Sequence, residues 1–99
     1  MILYNVTVNV DDSVHNEWLE WMKNVHIPEV LATGLFIENR IFKIITEEGN
    51  ENTYSIQYFL KSMEDYDKYQ KDFAPKLQQE HMNKYKDKFV AFRTLMESA

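Results

Sequence analysis

Residues 18–34 read WLEWMKNVHIPEVLATG, and this stretch decides how the first half of the chain folds. Trp18 and Trp21 stand three residues apart, which places both side chains on one apolar stripe of a helix. The acidic and hydroxyl residues just before this stretch suit the N-terminal cap of that helix. The pattern therefore predicts a first helix over residues 13–26.

A proline and a glycine mark the end of this helical region. Pro28 disfavours helical geometry at the residue before it, so we expect the first helix to stop at Ile27. Pro28 then suits the first position of a short new turn that runs through about residue 32. Gly34 is placed to end that turn in a left-handed conformation.

The rest of the chain alternates between strand and helix patterns. Strands are predicted where apolar residues recur at every second position or where a partly apolar run is bounded by turn residues. The four predicted strands are 2–10, 35–46, 53–60 and 88–96. Gly49 and Asn50 suit a hairpin turn between the second and third strands. Ser62 resembles the start of a capping box for a second helix, which Pro75 should kink or split.

The order βαββαβ predicts an α+β, ferredoxin-like fold. Two right-handed crossovers around a hairpin give a four-stranded antiparallel sheet with two helices on one face. The first and third strands should be central. Ninety-nine residues suit one domain, so residues 1–99 are expected to form a single unit.

The open face of the central strands carries no charge. Its residues alternate with the core residues of the same strands, and they are Leu3, Asn5, Thr7, Asn9, Ser55, Gln57 and Phe59. Large uncharged faces usually mark interfaces. We expect a homodimer in which two such faces meet to form a dimeric α/β barrel.

Five blocks of sequence carry a resemblance to a known family. They are YNVTVNV (4–10), WLEWMKNVHIPEVLATG (18–34), YSIQY (54–58), FAPKL (73–77) and KFVAFRT (88–94). Together they resemble a family of small bacterial proteins of unknown function, which is similar to the dimeric α/β-barrel, ferredoxin-like superfamily. The resemblance implies the fold and the pairing of subunits. The wider superfamily includes cofactor-free monooxygenases, lactone isomerases, heme-degrading enzymes and binding modules, so it implies no single activity.

Composition excludes several classes of function. The chain has no cysteine, which excludes disulfides and thiolate metal sites, and its carboxylates show no metal-ligand spacing. A net charge of −5 without a basic stretch argues against binding to nucleic acid. Two glycines cannot build a phosphate-binding loop, and no cofactor is predicted. The absence of a membrane-length apolar run and of a signal-peptide pattern leads us to expect a cytoplasmic protein without a membrane partner.

His26 is the candidate acid–base residue, because a histidine titrates near neutral pH. Glu29 follows three residues later and could pair with it. A histidine at the end of a helix also caps carbonyl groups and packs on its neighbours, and we take that structural role as the leading explanation of His26. Two residues at this spacing define no reaction by themselves.

Candidate ligand-binding residues come from two sources. Helical spacing indicates a core role first for Trp18 and Trp21, but they could also line an aromatic pocket between helix and sheet for a flat apolar molecule. The other rings of that pocket would be Tyr4, Tyr54, Tyr58 and Phe92. Three polar strand residues could anchor a ligand or bond across a dimer, and these are Asn5, Arg40 and Gln57. Arg93, the other arginine, could pair with an acid, reach solvent from an edge strand or hold an anionic ligand.

Three functional hypotheses follow. The first is a dimeric module that binds a small apolar or aromatic molecule, or a partner protein, without catalysis. The second is a cofactor-free oxygenase or isomerase that uses His26 as acid–base. The third is a purely structural or regulatory dimer with a closed core.

Overall fold

Four strands form one antiparallel sheet in the computed structural model, which describes residues 1–46 and 52–99. The strands are β1 (Ile2–Val10), β2 (Glu38–Lys43), β3 (Thr53–Leu60) and β4 (Phe89–Glu97). They lie in the order β2-β3-β1-β4, which confirms that the first and third strands are central. The α+β, ferredoxin-like fold class is confirmed with them.

Alternation along β1 and β3 sets the core. Tyr4 lies opposite Tyr58 in the register, and Val8 lies opposite Tyr54, so these side chains meet on the face that the helices cover. Each of the four is buried. Their neighbours along each strand point to the open face, because successive side chains of a strand alternate.

The second strand is shorter than the pattern predicts. The prediction of a strand over 35–46 was wrong at both ends, since β2 covers Glu38–Lys43. Leu35 and Phe36 leave the sheet and pack against the core, where Phe36 makes an edge contact with Tyr69 at 4.9 Å between ring centroids. Burial of these side chains competes with continued strand pairing. The predicted turn at Gly49 and Asn50 lies outside the described residues.

The first helical unit does not stop at Ile27. It consists of a 3-10 turn (Asp12–Val14), α1 (His15–Trp21), a π-helical turn (Met22–His26) and α2 (Ile27–Leu31). Ile27 keeps helical dihedrals, with φ −60° and ψ −46°, and its amide donates to the carbonyl of Met22, five residues earlier. The prediction was wrong because the π-helical turn shifts the hydrogen-bond register just before Pro28, whose ring would otherwise crowd the carbonyl four residues earlier. Gly34 has φ +80°, as predicted.

The second helical unit is divided where the sequence predicts it. Helices α3 (Met63–Asp72) and α4 (Ala74–Lys84) meet at Phe73, whose φ of −125° breaks the helical geometry, and Pro75 lies in the first turn of α4. The Ser62 hydroxyl accepts a hydrogen bond from the Asp65 amide at 3.3 Å, which confirms the predicted cap. Both helical units pack on the same face of the sheet. In residues 1–46 and 52–99, no helix is long and apolar enough to span a membrane.

Candidate functional site

Two histidines from different helical units meet under the helix layer. His26 ends the π-helical turn, and His81 lies on α4 four residues after Leu77, on the buried stripe of that helix. Their ring centroids are 5.3 Å apart. His26 is 8% exposed and His81 is 6% exposed, so both imidazoles have lost most of their contact with water.

Aromatic rings extend this pair in both directions. Trp21 stacks on His26 with 5.0 Å between centroids and 28° between ring planes. Phe89 of β4 stacks on His81 at 4.0 Å with the planes only 5° apart. The four rings form a continuous series of contacts, here called the ring ladder, that links α1, the π-helical turn, α4 and β4; the two histidine rings at its centre are tilted by 44° to each other. Each imidazole is therefore held in a fixed orientation.

A hydrogen bond from Trp18 sets the protonation state of His81. The indole Nε1–H of Trp18 donates to Nε2 of His81 at 3.0 Å, and Trp18 has no exposed surface. An indole nitrogen can only donate, so Nε2 of His81 must carry a lone pair. The neutral ring then bears its proton on Nδ1. Trp18 is a core residue that orients His81 and does not line the cavity described below.

Burial keeps both imidazoles neutral. Loss of hydration lowers the pKa of His26 to about 4; the carboxylate of Glu80 opposes this shift and the guanidinium of Arg93 adds to it. Burial likewise lowers the pKa of His81 to about 3, with further lowering by His26 and Arg93. At neutral pH the free nitrogen of His26 can therefore accept a proton or a hydrogen bond, whereas Nε2 of His81 already accepts from Trp18. Nδ1 of His26 is buried and has no hydrogen-bond partner in the described parts of the chain.

A small cavity and a larger groove adjoin the histidine pair. The cavity has a volume of about 30 Å³ and is bordered by His26, Tyr4 and Tyr58, so it has room for only about two water molecules. The groove runs between α4 and β4 with a volume of about 560 Å³. Three residues border both spaces and separate them: Gln78, His81 and Arg93. The groove is large enough for a small molecule, and the inner end of the groove lies against His81.

Glu29 lies apart from His26. It is exposed on α2, and in the described structure no hydrogen bond or ion pair joins it to the imidazole. Its neighbour is Glu80: desolvation and then the Glu80 carboxylate raise the pKa of Glu29. Both carboxylates border a separate cleft of about 270 Å³. The pairing of His26 with Glu29 that the sequence suggested is not formed.

The sheet separates the remaining predicted ligand residues into two groups. Tyr58 is buried beneath the helices, as are Trp18 and His26, and Tyr58 borders the small cavity. Asn5 and Gln57 lie on the open face, where the Ser55 hydroxyl donates to Asn5 at 2.6 Å and accepts from Gln57 at 3.3 Å. These polar residues cannot serve a pocket between helix and sheet.

Arg40 and Phe92 also lie on the open face. Arg40 is paired opposite Gln57 and forms an ion pair with Glu38, with 2.8 Å between Nη2 and Oε1. Phe92 is paired opposite Thr7 and is 65% exposed. The predicted aromatic pocket containing Phe92 was therefore wrong, because strand alternation turns this ring away from the tryptophans.

Sequence reasoning missed His81 and left the role of Arg93 open. His81 continues the apolar stripe of α4 one turn beyond Leu77, so helical periodicity could have placed it under the helix layer. Arg93 alternates with Ala91 and Phe89 along β4, which assigns it to the helix side of the sheet. Within residues 1–46 and 52–99, no three histidine or carboxylate side chains lie close enough together to hold a metal ion.

Comparison with known proteins identifies the family. The chain belongs to the family described as Domain of unknown function (DUF4286), whose model matches residues 1–99. No curated protein shows significant similarity to the sequence.

Solved structures share the fold at low sequence identity. A protein of Bacillus halodurans described as an ethyl tert-butyl ether d (ethd) family protein is 10% identical over 100% of both chains, with a TM-score of 0.69. A dimeric ferredoxin-like protein from an uncultured marine organism is 17% identical over 100% of this chain and 95% of its own, with a TM-score of 0.68. An antibiotic biosynthesis monooxygenase is 8% identical over 100% of this chain and 99% of its own, with a TM-score of 0.66. At such identities these similarities establish the fold alone.

The neutral histidines should make stability depend on pH. The folded protein keeps His26 neutral down to about pH 4, whereas the unfolded chain protonates it near pH 6.5. The stability that the protein has with a neutral His26 is therefore complete above pH 6.5. It is lost as the pH falls towards 4, because the unfolded chain then gains a proton that the folded protein does not bind. We expect the free energy of unfolding of the His26→Gln variant to fall less steeply over this range, by up to about 1.4 kcal/mol per pH unit. Urea titrations at several pH values measure how the free energy of unfolding depends on pH for the wild type and for the variant. Equal pH dependence in the two proteins would contradict a buried, neutral His26.

Proposed function

We propose that this member of the DUF4286 family is a homodimer that binds a small, largely apolar molecule in the groove between α4 and β4. The observation that carries the proposal is the groove itself, which has a volume of about 560 Å³ and ends at the buried His81. Ligand sites commonly have volumes of roughly 300–1,000 Å³ and combine apolar walls with a few polar groups. The groove has a volume in this range and combines four apolar lining residues with seven polar or charged ones, whereas the cavity of about 30 Å³ beside His26 is too small for an aromatic molecule.

The walls of the groove include apolar surface that a ligand could contact. Phe89, Ala91 and Met82 supply apolar surface, and the exposed fraction of Met82 is 54%. Gln78 and Arg93 supply polar groups at the inner end, where the groove adjoins the small cavity. A ligand in the groove would lie against the ring ladder at His81. A cytoplasmic location remains part of this proposal.

Catalysis by His26 is the second candidate function. A neutral, buried imidazole whose Nδ1 has no partner among the described residues is suited to accept a proton from a bound substrate. In a cofactor-free oxygenase reaction, an activated methylene would lose a proton to His26, O₂ would accept the electrons, and the products would be a carbonyl compound and water. A structurally similar protein is described as an antibiotic biosynthesis monooxygenase.

Oxygen uptake tests this second candidate. His26 can reach a substrate only if the cavity beside it widens; in that case the wild-type protein should consume O₂ in the presence of anthrone, a compound that has an activated methylene, and the His26→Gln variant should consume it no faster than buffer. Thermal unfolding of both proteins is the control for folding. Equal rates for wild type and variant above the buffer rate would exclude His26 as the base, and a wild-type rate equal to that of buffer would favour binding without catalysis.

The open sheet face supports the homodimer. Apolar side chains are exposed on this face, including Phe42 at 49%, Val90 at 70% and Phe92 at 65%. They surround the uncharged hydrogen-bonded residues Asn5 and Ser55. Contact with a second copy would bury the apolar surface and leave the central polar groups already paired. A structural or regulatory dimer would use the same face, but it would not account for the groove on the other side.

Filling the groove should prevent ligand binding. Ala91 lies on the helix side of β4 in the floor of the groove, so the Ala91→Phe variant should weaken binding of a naphthalene probe about tenfold or more through steric overlap. Isothermal titration calorimetry measures the dissociation constant. The matched control is Ala99→Phe, at the exposed C-terminus, which should bind as the wild type does. Unchanged affinity in a folded Ala91→Phe variant would place the ligand elsewhere.

A charge on the open face should separate the subunits. The Phe92→Lys variant should raise the dissociation constant of the dimer about thirtyfold or more, because association would bury an unpaired ammonium group. Val25→Lys is the control, since Val25 is exposed on the helix side. Sedimentation velocity over a range of concentrations distinguishes the two species. A monomeric wild-type protein, or a Phe92→Lys variant that dimerises normally, would contradict the proposal.

A further inference from the structure

Arg93 is held at the point where the groove meets the small cavity. It lies on β4 opposite Val6 and faces the helix side of the sheet. Its Nε–H donates to the hydroxyl of Tyr4 at 3.0 Å. Because Tyr4 is only 2% exposed and is packed among other rings, this hydrogen bond fixes the base of the guanidinium group. Arg93 is thus oriented in advance of any ligand.

The outer edge of this guanidinium has no acidic partner in the described structure. An arginine has five N–H donors, and the bond to Tyr4 uses one of them. Arg40, by contrast, is neutralised by Glu38 at 2.8 Å on the open face. Arg93 therefore keeps a positive charge and a planar pair of terminal donors, which is the geometry that binds a carboxylate through two parallel hydrogen bonds.

The surroundings of Arg93 favour an anion with an apolar body. Lys86 is a second cation on the groove, against the single carboxylate of Asp87. Apolar side chains line the same space, including Phe89 and Met82. The guanidinium also contributes to the lowered pKa of His26 and His81, so its field reaches the inner end of the groove. A cationic ligand would fit this combination poorly.

We propose that the groove binds a small apolar carboxylate, with its anionic group held by Arg93 and its apolar body lying against Phe89 and Met82. This inference rests on the proposed function and specifies the class of ligand. Tyr4 acts as the positioning residue for the guanidinium. A charge-assisted, two-point hydrogen bond should favour the carboxylate over an uncharged analogue of the same shape by about tenfold in affinity.

Three probes of one shape test the inference. They are a naphthalene carboxylate, the corresponding carboxamide and the corresponding methylammonium compound, each titrated calorimetrically into the full-length protein. We expect the wild type to bind the carboxylate about tenfold more tightly than the amide, and the cation most weakly. The Arg93→Gln variant should bind carboxylate and amide equally, whereas Arg93→Lys should keep part of the preference. Lys23→Gln, which removes an exposed positive charge on the helix side and away from the groove, is the control and should behave as the wild type does.

The outcomes separate this inference from the proposed function. Equal wild-type affinity for carboxylate and amide, with both weakened by Ala91→Phe, would overturn the carboxylate inference and leave groove binding intact. A carboxylate preference that survives Arg93→Gln would exclude Arg93 as the anchor. If none of the three probes binds at millimolar concentration, the proposed function fails and this inference fails with it. Circular dichroism of each variant confirms that the fold is retained.

Discussion

The hydrogen bond from the Trp18 indole to Nε2 of His81 is the interaction on which the helix layer depends. It joins α1 to α4, two elements that are 63 residues apart in sequence at this contact. The donor lies on a fully buried side chain, so removing the acceptor would leave an unsatisfied N–H at a cost of about 1–3 kcal/mol. The bond also demands a neutral imidazole, because a protonated Nε2 cannot accept. Packing and protonation state are therefore set by the same contact.

The ring ladder extends this constraint to the site. His81 is stacked on Phe89 and lies 5.3 Å from His26, which is stacked in turn on Trp21. A charge on either imidazole would be poorly solvated and would lie close to Arg93, so both rings stay neutral well below the pH at which a free histidine is protonated. The free energy of unfolding therefore decreases at acid pH, where the unfolded chain binds protons that the folded protein does not. The fold thereby holds two oriented, uncharged imidazoles, of which His81 lies at the inner end of the groove and His26 borders the small cavity.

The sequence predicted the parts of this structure that depend on local pattern. Strand alternation identified β1 and β3 and their uncharged open face, and Ser62 and Pro75 marked where the second helical unit begins and divides. The prediction that the first helix stops at Ile27 was wrong. Pro28 is accommodated by a change of hydrogen-bond register in the π-helical turn, which residue preferences do not encode.

The site was only partly predictable for a related reason. His26 could be singled out from the sequence, but its partner proved to be His81 on another helical unit and not the nearby Glu29. Such a contact depends on how helices cross, which no spacing within one helix reveals. Strand β4 shows how the two faces are connected, since Phe92 points to the open face and Arg93, the next residue, points to the groove. A second subunit packed on Phe92 would hold β4 in place, and the same strand would then present Arg93 to a ligand at a fixed distance from Tyr4. The proposed dimer contact and the proposed ligand contact thus lie on opposite faces of one strand, so packing at one face would influence the position of the other.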